Sequence, residues 1–255
     1  MRVTLSFYQK ALRSVTTISA LALAATMSAG AAPVTFGQFI QLNGAEQQWS
    51  VSTTAMTTTV TASGEVYFSF SGVSGLPFSG PQRALFALSA TSTQLGNCGV
   101  ACGPGDSFVQ PGYSGTFSFI SEDINPGANL LSGTFAIIGD PSTTGAQFSS
   151  SIGSSGGSFN SSATAGNLDQ LVLTSAYLSF MNVSQANASW SLSSLIPKFF
   201  TGAVASRQAL PGDLFNAAGS GTFSADGAQA TPEPATFGLM GCTLLGLRVM
   251  LRRRS

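Results

Sequence analysis

The chain of 255 residues contains no histidine. Without an imidazole it has no Ser-His-Asp or Cys-His nucleophilic pair and no imidazole-rich zinc or iron site. Its three cysteines are Cys98, Cys102 and Cys242, and only the first two are close in sequence. Two cysteines do not complete a zinc site by themselves. We therefore expect a protein that is not an enzyme and that holds no metal and no cofactor.

Basic residues are scarce in the middle of the chain. Residues 32–230 contain only Arg83, Lys198 and Arg207, against nine acidic residues, so this stretch of 199 residues has a net charge of −6. The other seven basic residues lie near the two ends. An acidic surface with three cations has no electrostatic footprint for nucleic acid or anionic lipid. The same surface is compatible with divalent cations or neutral sugars.

The last 25 residues contain two prolines followed by an apolar run. Pro232 and Pro234 lack a backbone N–H and disfavour helix at the residue before them, so this segment is expected to stay extended and open to a protease. Residues 235–251 are interrupted only by Arg248. As a helix they would span about 26 Å, close to the bilayer core of about 30 Å. We expect one transmembrane helix over 235–251.

A cluster of cations, Arg252, Arg253 and Arg254, closes the chain. Basic residues beside an apolar segment favour the cytoplasmic side of a membrane. The span would then leave its tail inside the cell and the preceding chain outside. An ordinary tail anchor or a final core helix is the alternative interpretation of this segment.

This tail resembles the PEP-CTERM sorting signal of bacterial surface proteins. Pro232, Glu233 and Pro234 match the Pro-Glu-Pro motif of that family, and an apolar stretch and an Arg-rich end follow in the same order. The resemblance covers about a tenth of the chain, and Arg248 departs from it by shortening the apolar run. It implies processing by an exosortase-type membrane peptidase, in a Gram-negative host that produces exopolysaccharide.

The N-terminus has the layout of a secretory signal peptide. Arg2, Lys10 and Arg13 precede an apolar run over 15–27, and the small residues 28–32 follow. The A-x-A pattern predicts cleavage by signal peptidase after residue 31. A short N-terminal anchor is the alternative, but the run is short for a membrane span.

The two targeting segments together predict three regions. Residues 1–31 form the signal peptide, residues 32–230 the exported domain, and residues 231–255 the sorting signal. The protein would cross the inner membrane, be anchored there transiently, and end at the cell surface or outside the cell.

The exported segment favours β-structure. Apolar residues alternate with Ser and Thr over 49–53, 66–70 and 188–192, which is typical of half-buried strands. The best helix candidate, 206–216, is interrupted by Pro211 and Gly212. Many short strands with Gly-rich turns predict an all-β fold, an antiparallel β-sandwich that is jelly-roll-like. The only helices expected are the signal helix and the transmembrane helix.

Three stretches carry finer predictions. Strands near Tyr113–Phe119 and Leu131–Ile137 flank the turn signal Asn125–Gly127 and predict an antiparallel hairpin. Residues 171–180 are the most apolar stretch and predict a central strand. The Ser- and Gly-rich residues 149–165 form either a mobile loop or two polar strands.

Cys98 and Cys102 lie in a Gly-rich stretch and are predicted to form a disulfide in the exported domain, since export places them in an oxidising compartment. A pair of free thiols is the alternative.

The acids Asp106, Glu122, Asp123 and Asp140 fall in turn-like contexts and are interpreted as solvated loop residues, with calcium binding and catalysis as alternatives.

These observations favour a structural protein of the cell surface or extracellular matrix, associated with exopolysaccharide. A carbohydrate-binding module is the second hypothesis, and exposure of Trp49, Trp190 or Tyr177 would favour it. A matrix-sugar hydrolase is the third, and it would need two carboxyl groups facing each other across a groove.

Overall fold

The computed structural model describes residues 32–54, 56–99, 101–136, 145–164, 170–205, 208–212 and 215–230. The predicted signal peptide and the predicted sorting signal with its transmembrane segment lie outside these residues. The described part is all-β and antiparallel, as the alternating sequence pattern predicts, and is consistent with a β-sandwich.

Sixteen strands are described, in this order: β1 (Val34–Gln41), β2 (Trp49–Thr54), β3 (Thr57–Phe70), β4 (Gln82–Ser92), β5 (Gly96–Cys98), β6 (Ser107–Ser121), β7 (Asn129–Phe135), β8 (Ala146–Ser151), β9 (Gly157–Ala163), β10 (Leu171–Thr174), β11 (Leu178–Ser179), β12 (Ala186–Ile196), β13 (Thr201–Ala205), β14 (Gln208–Pro211), β15 (Phe215–Ala225) and β16 (Gln229–Ala230).

Strand pairing runs in a closed circuit through eight of these strands, in the order β1, β3, β4, β6, β8, β9, β12, β15 and back to β1. We call β1, β15, β12, β9 and β8 the first layer, and β3, β4 and β6 with the attached β7 and β10 the second layer. The short pair β11–β16 stands apart from this sheet. Each strand of the circuit therefore has a partner on both sides, which leaves no free edge within it.

The core lies between the two layers and is rich in aromatic rings. Phe39 of the first layer lies 5.0 Å from Phe119 of the second, measured between ring centroids. The ring centroids of Trp190 in the first layer and Phe117 in the second are 5.4 Å apart. All four side chains are buried. Since aromatic residues bury the largest areas of any side chains, these contacts hold the two layers together.

A polar network is buried in this core. The Tyr113 hydroxyl donates to Gln110 Oε1 at 2.6 Å, and Gln110 Nε2 donates to Thr58 Oγ1 at 2.9 Å and to the Gln94 carbonyl at 2.7 Å. Burial raises the pKa of Tyr113 above its usual value, which keeps the phenol protonated as a donor. A network with satisfied partners is stabilising and fixes the local packing.

Two of the finer sequence predictions are confirmed. β6 and β7 form the predicted antiparallel hairpin, with Phe119 opposite Leu131, and Asn125 and Gly127 have the positive φ values of its turn. The Ser- and Gly-rich residues 149–165 contain the polar strand β9 and the end of β8, which pair with each other.

The interrupted helix candidate 206–216 contains strand instead, since β14 pairs with β13 and β5, and β15 begins at Phe215. One prediction is wrong. The stretch 171–180 is not a central strand, because β10 pairs only with β7 among the described strands. It ends early because the Ser175 hydroxyl accepts hydrogen bonds from the N–H groups of Tyr177 and Leu178.

Candidate functional site

The predicted sorting residues, Pro232, Glu233, Pro234, Arg252, Arg253 and Arg254, lie outside the described residues. The described chain ends at Ala230, in β16, which pairs with β11.

Asp226 holds the turn that precedes β16. Its buried carboxylate accepts hydrogen bonds from the N–H groups of Ser184 at 2.7 Å and Gln185 at 2.6 Å, and from the Ser184 hydroxyl. Burial alone would raise the pKa of Asp226, but the hydrogen bonds from Ser184 and Gln185 outweigh burial and lower it. The acid thus ties the turn before β16 to the start of β12.

Cys98 and Cys102 are joined by a disulfide, and Cys98 lies opposite Phe108 of β6. The loop that they close is held from inside by Asp106, whose carboxylate accepts from Ala101 N at 3.2 Å and Gly103 N at 2.9 Å. Asp106 was interpreted from sequence as a solvated loop acid, but in the structure it organises the disulfide loop.

The remaining sequence-identified acids of the described chain surround Arg83. Arg83 Nη2 donates to Glu65 Oε2 at 2.9 Å and lies 3.7 Å from Glu122 Oε2. Asp123 accepts from Arg83 N at 2.9 Å. The hydrogen bond to Glu65, followed by the charges of Glu65 and Glu122, raises the pKa of Arg83. The guanidinium thus neutralises the two carboxylates that lie nearest to it, so they are not a free acid and base.

Asp140 lies outside the described residues. Among the described ones, no three His, Cys, Asp or Glu side chains are grouped as a metal site would require.

The aromatic side chains that would have favoured a sugar-stacking platform are not exposed. Trp49 and Trp190 are 0% exposed. Tyr177 is half-buried and packs against Phe78, with 5.0 Å between ring centroids. Trp49 and Trp190 belong to the core and Tyr177 is partly covered, so the exposure that would have favoured a carbohydrate-binding module is not seen at these three residues.

The outer surface of the first layer consists mainly of uncharged polar side chains, with the exposed Ile40 on β1 among them, and we call its polar residues the hydroxyl–amide face. It spans five strands, of which only β8 and β9 are consecutive in the chain. Its residues are Gln38 on β1; Ser220, Thr222 and Ser224 on β15; Asn187, Ser189 and Ser191 on β12; Ser158, Asn160 and Ser162 on β9; and Gln147 and Ser149 on β8.

Strand register aligns these side chains in rows across the layer. One row runs from Gln38 through Thr222, Ser189 and Asn160 to Gln147, each directly opposite the next. Directly opposite residues have Cβ atoms about 5 Å apart, so neighbouring side chains in a row interact. The face is therefore an ordered array of donors and acceptors.

Hydrogen bonds link several members of this array to each other. The Ser189 hydroxyl donates to Asn160 Oδ1 at 2.6 Å, and Asn160 Nδ2 donates to the Ser158 hydroxyl oxygen at 3.0 Å. The Ser158 and Ser149 hydroxyl groups are 2.6 Å apart. These bonds fix the orientation of the Asn160 amide at the centre of the face.

Two depressions lie on the face and meet at Ser189. The first, of about 230 Å³, is lined in part by Gln147, Asn160, Ser162, Asn187 and Ser189. The second, of about 220 Å³, is lined by Gln38, Phe39, Ile40, Ser189, Ser191, Ser220, Gly221 and Thr222. No charged residue lines either depression.

Sequence reasoning recognised the alternating Ser residues near Trp190 but not this face. The available signal was the recurrence of Ser, Thr, Asn and Gln at alternate positions of 147–162, 187–191 and 220–224. Which of these segments pair with one another depends on the tertiary fold.

Comparison with protein-family models, curated proteins and solved structures found no match to this chain. Within the described part of the chain, no helix has the length and apolar character needed to cross a membrane.

Proposed function

We propose that this chain is an exported bacterial protein of the cell surface or extracellular matrix, with a structural, non-enzymatic role in association with exopolysaccharide. Signal peptidase removes residues 1–31. The C-terminal span then anchors the protein transiently in the inner membrane, and an exosortase-type membrane peptidase recognises Pro232, Glu233 and Pro234. The basic residues Arg252, Arg253 and Arg254 hold the tail on the cytoplasmic side. Nucleic acid is not a partner.

The observation that carries the proposal is the sequence pattern at the two ends, with a signal-peptide layout before residue 32 and the Pro-Glu-Pro motif, apolar run and Arg-rich end after residue 231. The first described strand begins at Val34, three residues after the predicted signal-peptide cleavage, and the last ends at Ala230, two residues before Pro232. All described strands thus lie between the two targeting segments. Processing at both ends as proposed would leave all of the described strands on the protein.

The structural role is supported by what the acidic side chains do. Asp106 and Asp226 accept hydrogen bonds from backbone N–H groups. Glu65 and Glu122 share the guanidinium of Arg83. Carboxylates with these partners stabilise the fold. A sugar hydrolase, by contrast, needs two carboxyl groups that act on the substrate. We further propose a jelly-roll-like sandwich, with a signal helix before it and a transmembrane helix after it.

Intact-mass measurement of the surface protein tests the sorting part of this proposal. In a host that has the sorting peptidase, the mass should lack residues 1–31 and the apolar and Arg-rich tail. In the same host without the peptidase, the tail should remain on the protein. A surface protein that keeps residues 237–255 in the complete host would overturn the proposed sorting.

A further inference from the structure

We infer that the hydroxyl–amide face is the site at which the exported domain binds a neutral polysaccharide. The inference rests on the proposed association with exopolysaccharide and assigns it to specific residues. The face is defined by the twelve polar residues named above, and its centre is formed by Asn160, Asn187 and Ser189.

The chemistry of the face complements that of a neutral sugar chain. Its hydroxyl groups donate and accept, and its amide groups present donors and acceptors side by side. Sugar hydroxyl groups have the same dual character, so each can pair with a neighbouring Ser, Asn or Gln side chain. Ile40, which is 59% exposed and lines the second depression, adds an apolar contact for the C–H surface of a sugar ring.

The geometry fits an extended chain that crosses the strands. Five strands at about 4.8 Å spacing make the face roughly 19 Å wide. The two depressions lie along this direction, one over β8, β9 and β12 and the other over β12, β15 and β1. Each is smaller than a pocket for a drug-sized molecule, which is about 300 Å³ or more. Adjoining shallow depressions suit successive rings of a polymer.

Part of the face is already oriented for binding. Asn160 is held by hydrogen bonds with Ser189 and Ser158. A side chain that is held in place loses less conformational entropy when it contacts a ligand. These hydrogen bonds form a continuous chain from Ser189 through Asn160 to Ser158, and the bonds within such a chain polarise one another.

Other classes of ligand fit this face less well. Protein–protein interfaces are enriched in aromatic residues, Met and Arg and depleted in Ser, which is the opposite of this composition. Nucleic acids require Lys or Arg near their phosphates, and none lines either depression. The second layer has a different outer surface, on which Arg83 pairs with Glu65 and Glu122.

A polymer should bind better than a single sugar. Each hydrogen bond exchanged with water contributes little net free energy, so one ring binds weakly. Once one sugar ring of a polymer is bound, the next ring is held near the face at a high effective concentration, so repeated contacts raise the overall affinity. Binding is therefore expected to strengthen with chain length.

The test uses the full chain purified in detergent and immobilised for interferometry. The probes are the neutral polymers dextran, mannan and mixed-linkage β-glucan, with polygalacturonate as an acidic polymer. We expect binding to at least one neutral polymer and none to polygalacturonate, since the exported segment is acidic. Failure of all three neutral polymers to bind, or binding to polygalacturonate alone, would overturn the inference.

Paired variants locate the binding surface. Asn160→Ala with Asn187→Ala should weaken binding at least fivefold. The matched control is Thr61→Ala with Ser89→Ala, two exposed residues directly opposite each other on the second layer, and it should change nothing. Equal losses in both pairs would overturn the assignment to this face.

A second pair covers the case in which the double variant does not fold, as judged by thermal unfolding. Ser191→Glu places a charge on the face at an exposed position, and Ser89→Glu places it on the other layer. Only the former should abolish binding, and retained binding would overturn the inference. The intact-mass experiment reports on sorting independently, so a failure of sorting and a failure of sugar binding are distinguishable.

Discussion

Gly219 on β15 leaves the space that the indole ring of Trp49 on β2 occupies. A Cβ atom at position 219 would lie 2.2 Å from Trp49 Nε1. Trp49 is itself fully buried against Phe86 of the second layer, with 5.6 Å between ring centroids. The glycine is thus required by the close approach of a large aromatic side chain to the backbone of β15.

Gly219→Ala should therefore destabilise the domain by about 1–3 kcal/mol, the usual cost of overpacking a core. The control is Gly202→Ala, because a Cβ atom there meets nothing within 4 Å. Chemical denaturation monitored by Trp fluorescence gives both free energies of unfolding. Equal values for the two variants would contradict the packing argument.

Removal of the Tyr113 hydroxyl should weaken the buried polar network. Tyr113→Phe leaves Gln110 Oε1 without its donor in the core, at a cost of about 1–3 kcal/mol. Tyr67→Phe is the control, since Tyr67 is 38% exposed and water replaces the lost partner. Chemical denaturation of both variants is the measurement, and a Tyr113→Phe protein as stable as the control would argue against the network.

Asp226 should make stability depend on pH at acidic values. Because its pKa is lowered in the folded state, its contribution is fully present above the ordinary value of 3.8 and is lost as the pH falls through the folded-state pKa. Asp226→Ala should cost about 1–3 kcal/mol at neutral pH, since buried N–H groups lose their acceptor.

The difference in unfolding free energy between wild type and Asp226→Ala should accordingly shrink below about pH 4. Asp226→Asn keeps an acceptor but does not titrate, so its own stability should lack this component of the pH dependence. Denaturation series at several pH values measure all three proteins. A wild-type advantage that persists undiminished at pH 2 would contradict the assigned role.

The disulfide between Cys98 and Cys102 should form after export. Peptide mapping without reduction should recover the two cysteines in one linked peptide, and full alkylation of both thiols in native protein would count against the pairing. Because the closed loop is short, replacing both cysteines by Ser should cost no more than about 2 kcal/mol. Thermal unfolding of the double variant measures that cost.

Glu233→Ala should impair processing of the C-terminal tail, because it removes the charged residue of the motif. Asp123→Ala is the control, and it should be processed normally. Deletion of Arg252 to Arg254 should weaken the orientation of the tail, since these cations oppose passage across the membrane. The measurement is the fraction of each variant that is displayed at the cell surface rather than retained in the membrane, determined for all variants in the same host. Normal processing of Glu233→Ala together with loss of display for Asp123→Ala would place the functional centre within the exported domain.

Some of the fold was open to prediction because its causes are local. Alternation of apolar and polar residues predicts strands wherever one face is buried, and it succeeded for β2, β3 and β12. The hairpin of β6 and β7 was predictable because Asn125 and Gly127 tolerate the positive φ values of its turn. The position of β10 in the sheet was not predictable from sequence, because the hydrophobicity of a strand does not tell how many strands pair with it.

The sequence by itself determined that the described part of the chain is built of antiparallel strands, and it supplied the motifs from which export and sorting are proposed. Only the tertiary structure decided that Gln38, Ser189 and Gln147 belong to one row. Each of these strands presents a polar side every second residue, but a surface exists only once distant strands are paired in register. Pairing and register are set by burial of the opposite, aromatic side of each strand between the two layers, which is a property of the whole domain.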